Sequence, residues 1–400
     1  MSKKKILILS MAYYPKHIGG AEVAIKEITD RMSSDEYEFH LICNRYDSTL
    51  PKEQVIGNVH VHRIGITKKS PTMTDLRKLP LHLNKLFFQW TAYATAVKLH
   101  RREKFSLIWA MMAHATGVPA ARFKNHFKKI PFVLTLQEGD PPEVIERTMR
   151  PFEPYFTTAI TSADAIQVIS NFLGSWAKKK GSKNEPVLIP NAVNTENFSK
   201  PISDKELQSA RTELGLSDAD IALVTTSRLV RKNGLDTVIE ALPLLPEEVV
   251  FVVFGVGPEE ENLKALAEKI GVSKRVLFKG QISHEVMPKY LKACNIFIRP
   301  SRSEGMGNSF IEAMAAELPV IATPVGGITD FLIDGETGWF AAVENPKSIV
   351  TAYERIYSNV EDTSRVLKNA KDMAIEKYNW DLIAKRMESE VFKPLLVDKA

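Results

Sequence analysis

The sequence predicts an α/β protein made of two doubly wound, Rossmann-like domains, and three observations predict it. Short apolar runs of strand length alternate with helical patterns along the whole chain, the order that builds parallel sheets with helices on both faces. Polar loops containing glycine repeatedly follow those runs, at the edge where open parallel sheets bind ligands. The chain of 400 residues is also longer than one core serves.

The bulk composition narrows the classes. At 44% hydrophobic and 25% charged residues the chain has the make-up of a globular protein with ample apolar material to bury. No stretch approaches the roughly 18 to 20 uninterrupted apolar residues of a membrane-spanning helix. Met1-Ser2-Lys3-Lys4-Lys5 leads directly into a strand-like run and does not resemble a signal peptide, so a cytoplasmic location is expected. Cys43 and Cys294 end strand-like runs and are expected to be small buried hydrophobes, which supports neither a disulfide framework nor a cysteine metal site.

The net charge of +5 hides an asymmetry. Residues 1–200 hold 29 Lys and Arg against 18 Asp and Glu, whereas residues 201–400 hold 24 against 30. The basic clusters are Lys68-Lys69, Lys98 with Arg101-Arg102 and Lys104, the run 122–129, and Lys178-Lys179-Lys180. Such a face suits anionic lipid head groups or an anionic acceptor, or it is a solvated surface of ordinary lysines. Nucleic acid is disfavoured as a partner because no groove-reading or strand-binding motif accompanies the charge.

In the first half the strand-like runs fall at 6–10, 39–43, 59–64, 106–111, 131–137 and 165–170. The first is followed by Tyr13-Tyr14-Pro15-Lys16-His17-Ile18-Gly19-Gly20-Ala21-Glu22 and then a helical pattern. Two adjacent glycines do not make a dinucleotide fingerprint, so NAD is not inferred, but Gly19 and Gly20 let a ligand approach backbone closely. His114 and Gln137-Glu138-Gly139-Asp140 likewise follow strands. Between 68 and 102, Leu83, Leu86, Phe87, Trp90, Tyr93 and Val97 form an amphipathic stripe, expected to face the core in preference to a membrane. The stretch 186–198 carries little helical pattern and is expected to link the domains.

The second half repeats the rhythm, with runs at 221–226, 249–254, 276–279, 295–298 and 319–323. Ser227-Arg228-Leu229-Val230-Arg231-Lys232-Asn233-Gly234 follows the first run. Arg228 and Lys232 therefore occupy a loop at a strand's carboxyl end, where a guanidinium fork and a compact ammonium suit a diphosphate. Gly255-Val256-Gly257-Pro258 and Gly326-Gly327 are further glycine turns on that edge. The richest stretch is Arg299-Pro300-Ser301-Arg302-Ser303-Glu304-Gly305-Met306-Gly307-Asn308-Ser309-Phe310-Ile311-Glu312, a strand end, a glycine loop and a helix start near Ser309. Helix starts present unpaired N–H groups and a positive dipole end to an anion. Glu304 in the loop and Glu312 one turn into the helix can face one ligand from two heights.

Taken in order, Ser227-Arg228-Leu229 with Lys232, 254–258 (Phe-Gly-Val-Gly-Pro), Arg299-Pro300-Ser301, 304–312, 319–322 (Pro-Val-Ile-Ala) and Gly326-Gly327 before Gly335-Glu336-Thr337-Gly338 resemble the donor domain of family 4 retaining glycosyltransferases of GT-B architecture. In the first half Gly19-Gly20-Ala21-Glu22, His114, Ser170 and Ile189-Pro190-Asn191 fit the same family. The chain departs from the family pattern at Gln137-Glu138, where His-Gly is common. It also departs at Asn191-Ala192-Val193-Asn194, in place of Asn-Gly-Val-Asp, and at Glu317-Leu318, where a glycine is usual.

The resemblance implies two Rossmann-like domains facing across a cleft: an acceptor-side domain over 1–190, a donor domain over 191–377, and a terminal helix over 378–400 packing back on the first. It implies transfer of a hexosyl unit, with retention, from a UDP- or GDP-hexose to a glycan, lipid-linked or small-molecule acceptor. Carried over by position, Arg228 and Lys232 would bind the diphosphate, Glu304 the sugar hydroxyls and Glu312 the ribose. Gly255 and the backbone of Gly305, Met306, Gly307, Asn308 and Ser309 would line the donor site. Gly19 and Gly20 would approach the phosphate, His114 the reacting sugar, and domain closure about 190–195 would exclude water. No Asp-x-Asp pattern is present, so metal-independent transfer without a cofactor is expected; the charge of the basic first half leaves two readings open, peripheral contact with the inner face of an anionic membrane and an ordinary solvated surface. The rivals are a GT-B sugar-nucleotide epimerase, a phosphorylase, or a nucleotide-sugar-binding protein without catalysis.

Overall fold

The computed structural model describes residues 3–16, 18–72 and 75–397. Met1-Ser2, His17 of the glycine turn and residues 398–400 of the expected terminal helix lie outside them. The chain divides into two compact units, Met1–Asn191 with Trp380–Ala400, and Ala192–Asn379.

The first unit is built on eight strands: β1 (Lys4–Leu9), β2 (Tyr37–Asn44), β3 (Glu53–Ile56), β4 (Val59–Ile64), β5 (Leu107–Met111), β6 (Phe132–Leu136), β7 (Ala165–Val168) and β8 (Val187–Leu188). They run in the order β3-β4-β2-β1-β5-β6-β7-β8. Ile6 to Leu9 are fully buried, as expected of a central strand covered on both faces. Every pairing is parallel except β3 with β4, so the wholly parallel sheet expected from the alternation gains one antiparallel edge. Glu53, Gln54 and Val55 are exposed there, and so short and polar a strand carries no apolar run to read. The helical end of the chain belongs to this unit. Phe392 meets the Trp109 ring edge-on at 5.3 Å, Arg386 donates to the Leu188 carbonyl at 2.8 Å, and Arg31 to Asp381 at 2.6 Å.

Three helices of this unit matter below: α1 (Gly20–Asp30), α2 (Leu83–Glu103) and α3 (Val118–His126). In α2 the stripe expected to face the core does not. Leu86, Phe87 and Trp90 are exposed, and the buried residues are Asn84, Phe88, Ala92, Ala96 and Leu99. Small side chains let α2 and its neighbours approach closely, so the helix buries its alanine face and turns its bulkiest side chains out.

The second unit holds β9 (Ile221–Thr226), β10 (Val249–Phe254), β11 (Val276–Gly280), β12 (Ile296–Arg299), β13 (Val320–Ala322) and β14 (Trp339–Phe340). Their order is β11-β10-β9-β12-β13-β14, all parallel. Its core joins Leu223, Val238, Phe251, Ile296 and Trp339 between the sheet and its helices. Cys43 of the first unit and Cys294 of the second are buried and unpaired.

Candidate active site

In the second unit β9 and β12 are neighbours, so the loops leaving their carboxyl ends lie side by side. Arg302 joins them. Its guanidinium takes both carboxylate oxygens of Asp236 at 2.8 and 2.9 Å and donates to the Arg231 carbonyl at 2.7 Å, while its backbone N–H donates to the Lys232 carbonyl at 2.6 Å. Gly234 (φ +70°) fits between them because a Cβ there would lie 2.0 Å from the Pro300 carbonyl oxygen. Arg228 and Lys232 therefore stand on the same platform as the glycine loop. Arg228 is exposed at its rim and Lys232 is half-buried. Gly255 (φ +131°) completes the edge, with room for no side chain 1.8 Å from the Ser227 carbonyl oxygen.

The glycine loop is organised by a residue to which the sequence reading gave no task. Arg299 ends β12 with its guanidinium buried against the Phe310 ring at 4.2 Å. It donates to Glu304 Oε2 and to Ser309 Oγ, each at 2.8 Å. Burial lowers its pKa and the Glu304 and Glu312 carboxylates oppose that. The other Glu304 oxygen accepts from the Gly305 N–H at 3.1 Å, so this carboxylate is held in one orientation. Gly307 (φ +90°) lies against the guanidinium and precedes α4 (Asn308–Ala315), giving that helix start no side-chain cap. A legible signal existed: a charged residue closing the apolar run Ile296-Phe297-Ile298.

Glu312 lies within α4, 6% exposed, with its Oε1 3.6 Å from Nδ1 of the exposed His284. Burial raises its pKa, with His284 and Arg299 opposing. A carboxylate raised in the folded state costs stability above that raised pKa and none below its unfolded value. Glu312→Gln is therefore expected to stabilise the empty protein at neutral pH, read as a higher denaturation midpoint; under the ribose role that the family resemblance implies for Glu312, it is also expected to weaken nucleotide binding about tenfold because a carboxylate acceptor is lost. In the wild type the acid limb of nucleotide binding should lie above the ordinary glutamate value and vanish in the variant; an unchanged pH profile would remove Glu312 from the site.

Buried polar atoms without partners gather on the same edge. Thr226 Oγ1 and Ser227 Oγ at the end of β9, and Ser301 Oγ and Arg299 Nε at the end of β12, have no hydrogen-bond partner. Buried polar groups are ordinarily paired, so these four atoms are exceptions at the strand ends that carry the glycine loop and Arg228.

In the first unit Gly19 caps α1, and its N–H donates to the buried Glu22 carboxylate at 2.8 Å. That amide is therefore engaged, and the open approach lies over Gly20, whose nearest neighbour for a Cβ would be Asn191 Nδ2 at 3.9 Å. His114 sits in a π-helical turn after β5, Ala113–Gly117, entered through Met112 at φ +68°. Its Nδ1 is 3.4 Å from Oε1 of Glu138, which is 2% exposed and accepts the Ala113 N–H at 2.7 Å. Glu138 thus orients the turn that carries His114, a role its place after β6 hinted at without specifying. Among the described residues, Glu38, His40 and Glu103 form the group close enough to share a cation, and the Lys5 ammonium already lies 3.0 and 2.8 Å from the two carboxylates.

Arg228, Lys232, Gly255, Glu304 to Ser309 and Glu312 thus gather on one edge of the second unit, while Gly19, Gly20 and His114 belong to the first. Two family models match the chain: Glycosyltransferase Family 4 over residues 18–197 and Glycosyl transferases group 1 over residues 208–373. An uncharacterized glycosyltransferase of Methanocaldococcus jannaschii is 23% identical over 95% of this chain and 96% of its own. A GDP-mannose-dependent phosphatidylinositol monomannoside mannosyltransferase of Mycolicibacterium smegmatis is 28% identical over 54% of this chain and 59% of its own. Among solved structures, Anabaena HepE in complex with UDP and glucose superposes with a TM-score of 0.78 at 21% identity, over 97% of this chain and 99% of that one.

Proposed function

Because the chain belongs to the family 4 glycosyltransferases, with their GT-B fold, we propose that it transfers a hexosyl unit from a nucleoside-diphosphate sugar to a glycan or lipid-linked acceptor, with retention and without a metal. The observation that carries this reading is the platform formed by the loops leaving the neighbouring strands β9 and β12, which brings Arg228 and Lys232 onto the same edge as the uncapped start of α4. Similar proteins point to the same donor class, one by a GDP-mannose dependence and one by a UDP complex.

In this reading the bond between the sugar's anomeric carbon and the diphosphate oxygen breaks as negative charge gathers on the leaving group. Arg228, Lys232 and the amides at the start of α4 stabilise that charge. Glu304 binds sugar hydroxyls and does not attack, because Arg299 and the Gly305 N–H already hold both its oxygens. The acceptor hydroxyl then adds on the face the diphosphate leaves, and its proton passes to the departing phosphate oxygen. Glu312 takes the ribose, and His114, oriented beside Glu138, contacts the reacting sugar. The reading puts the enzyme in the cytoplasm, at the inner face of the membrane.

The test is incubation of the whole chain with UDP- and GDP-hexoses, with and without a lipid extract and with EDTA. Acceptor-dependent release of nucleotide that survives EDTA, with product of retained configuration, is expected. Turnover without acceptor would favour an epimerase, dependence on inorganic phosphate a phosphorylase, and absence of nucleotide binding would overturn the reading.

A further inference from the structure

The segment that leaves β4 exposes what a globular protein ordinarily covers. Leu79 is 74% exposed, and on the first turns of α2 Leu86, Phe87 and Trp90 are 44%, 44% and 49% exposed. Positions 86, 87 and 90 share one side of a helix. The same segment is basic throughout: Lys78, Lys85, Lys98, Arg101 and Arg102 are exposed, and between Asp75 and Glu103 the chain has no Asp or Glu. Its place is fixed by topology. β4 ends on the carboxyl edge of the first sheet, Asn84 at the start of α2 exchanges hydrogen bonds with the Ile66 backbone just beyond that end, and Gln89 on its second turn donates to the Ala115 carbonyl at 3.1 Å, within the turn that carries His114.

We propose that the outer face of the first half of α2, with residues 78–79 before it, docks this protein on an anionic lipid surface. Each side chain has a task there. Trp90 suits the headgroup level, Leu79, Leu86 and Phe87 the acyl boundary, and Lys78 and Lys85 the anionic headgroups. A second copy of the chain is disfavoured as occupant, because a self-complementary contact would set the same lysines near one another with no carboxylate from this segment between them. A soluble polyanion accounts for the lysines and leaves the exposed leucines and aromatic rings without a role. The consequence rests on the glycosyltransferase reading: the acceptor is membrane-borne and arrives beside the His114 turn. The docking itself does not depend on that reading.

The experiment is co-sedimentation of the whole chain with phosphatidylcholine vesicles, with and without phosphatidylglycerol, at low and high salt. Two double variants are compared, Phe87→Asp with Trp90→Asp, and Lys78→Glu with Lys85→Glu, each checked for an unchanged circular dichroism spectrum and thermal midpoint. All four positions are exposed, so folding should survive. Binding that requires phosphatidylglycerol, weakens with salt and falls at least about tenfold in each double variant is expected. Nucleotide affinity, measured in parallel by calorimetry, should be unchanged, so a failed donor site and a failed docking surface read differently. Wild-type sedimentation that ignores phosphatidylglycerol, variants that bind like wild type, or a concentration-dependent dimer dissociated by the aromatic variant would each overturn the proposal.

Discussion

Alanine at Arg228 is expected to lower sugar transfer by about 10²- to 10³-fold while leaving the denaturation midpoint where it was. Both halves of that expectation come from position. Arg228 is exposed at the end of β9 and, among the described residues, its guanidinium forms no ion pair, so the folded chain loses little when it is cut back. What it would lose is charge fixed at the place where the leaving diphosphate becomes more negative. That interaction strengthens toward the transition state, so kcat should fall more than nucleotide affinity. Arg228→Lys keeps the charge and loses the fork, and should sit between, down about tenfold. Lys232→Ala should follow the same direction. Wild-type kcat in Arg228→Ala would show that the phosphate site lies elsewhere.

The carboxyl edge of the second sheet was legible because each part leaves a local mark. Apolar runs ending in glycine-rich loops gave β9, β10 and β12 and their carboxyl ends, and the motif from 299 to 312 gave the loop and the start of α4. Less legible were features decided by tertiary packing. The α2 stripe has sound helical spacing, yet periodicity shows that a stripe exists without saying which side meets the core; the buried line Asn84, Phe88, Ala92, Ala96 and Leu99 runs through alanines that a hydrophobicity reading discounts. β3, β8 and β14 are short edge strands with two to four residues, too brief to stand out from loops. Glu138 looked like part of a polar strand end, and only its contact with the His114 turn gives it a task.

The same limit hid the residue whose loss should cost the second unit most. Arg299→Ala is expected to destabilise it by about 3 to 5 kcal/mol, the usual penalty when one partner of a buried ion pair is removed. The guanidinium is surrounded. It lies over Phe310, holds Glu304 and Ser309, and packs against Gly307, whose absent Cβ would come within 2.6 Å of it. Its removal leaves the Glu304 carboxylate without its cation and a cavity under the start of α4. Arg299→Lys should rescue little, since an ammonium neither reaches two partners in a plane nor stacks on a ring in the same way. The informative variant is Arg299→Met with Glu304→Gln. Removing both charges together should cost less than the sum of the single changes, with a coupling above about 1 kcal/mol in a double-mutant cycle. Binding of the nucleotide-sugar should still weaken in the double variant, measured against the free nucleotide, because an uncharged pair restores packing without restoring the oriented carboxylate that takes the sugar hydroxyls. Additive stability changes would mean that Arg299 and Glu304 act independently, and nucleotide-sugar binding at wild-type affinity in the double variant would mean that the glycine loop needs neither.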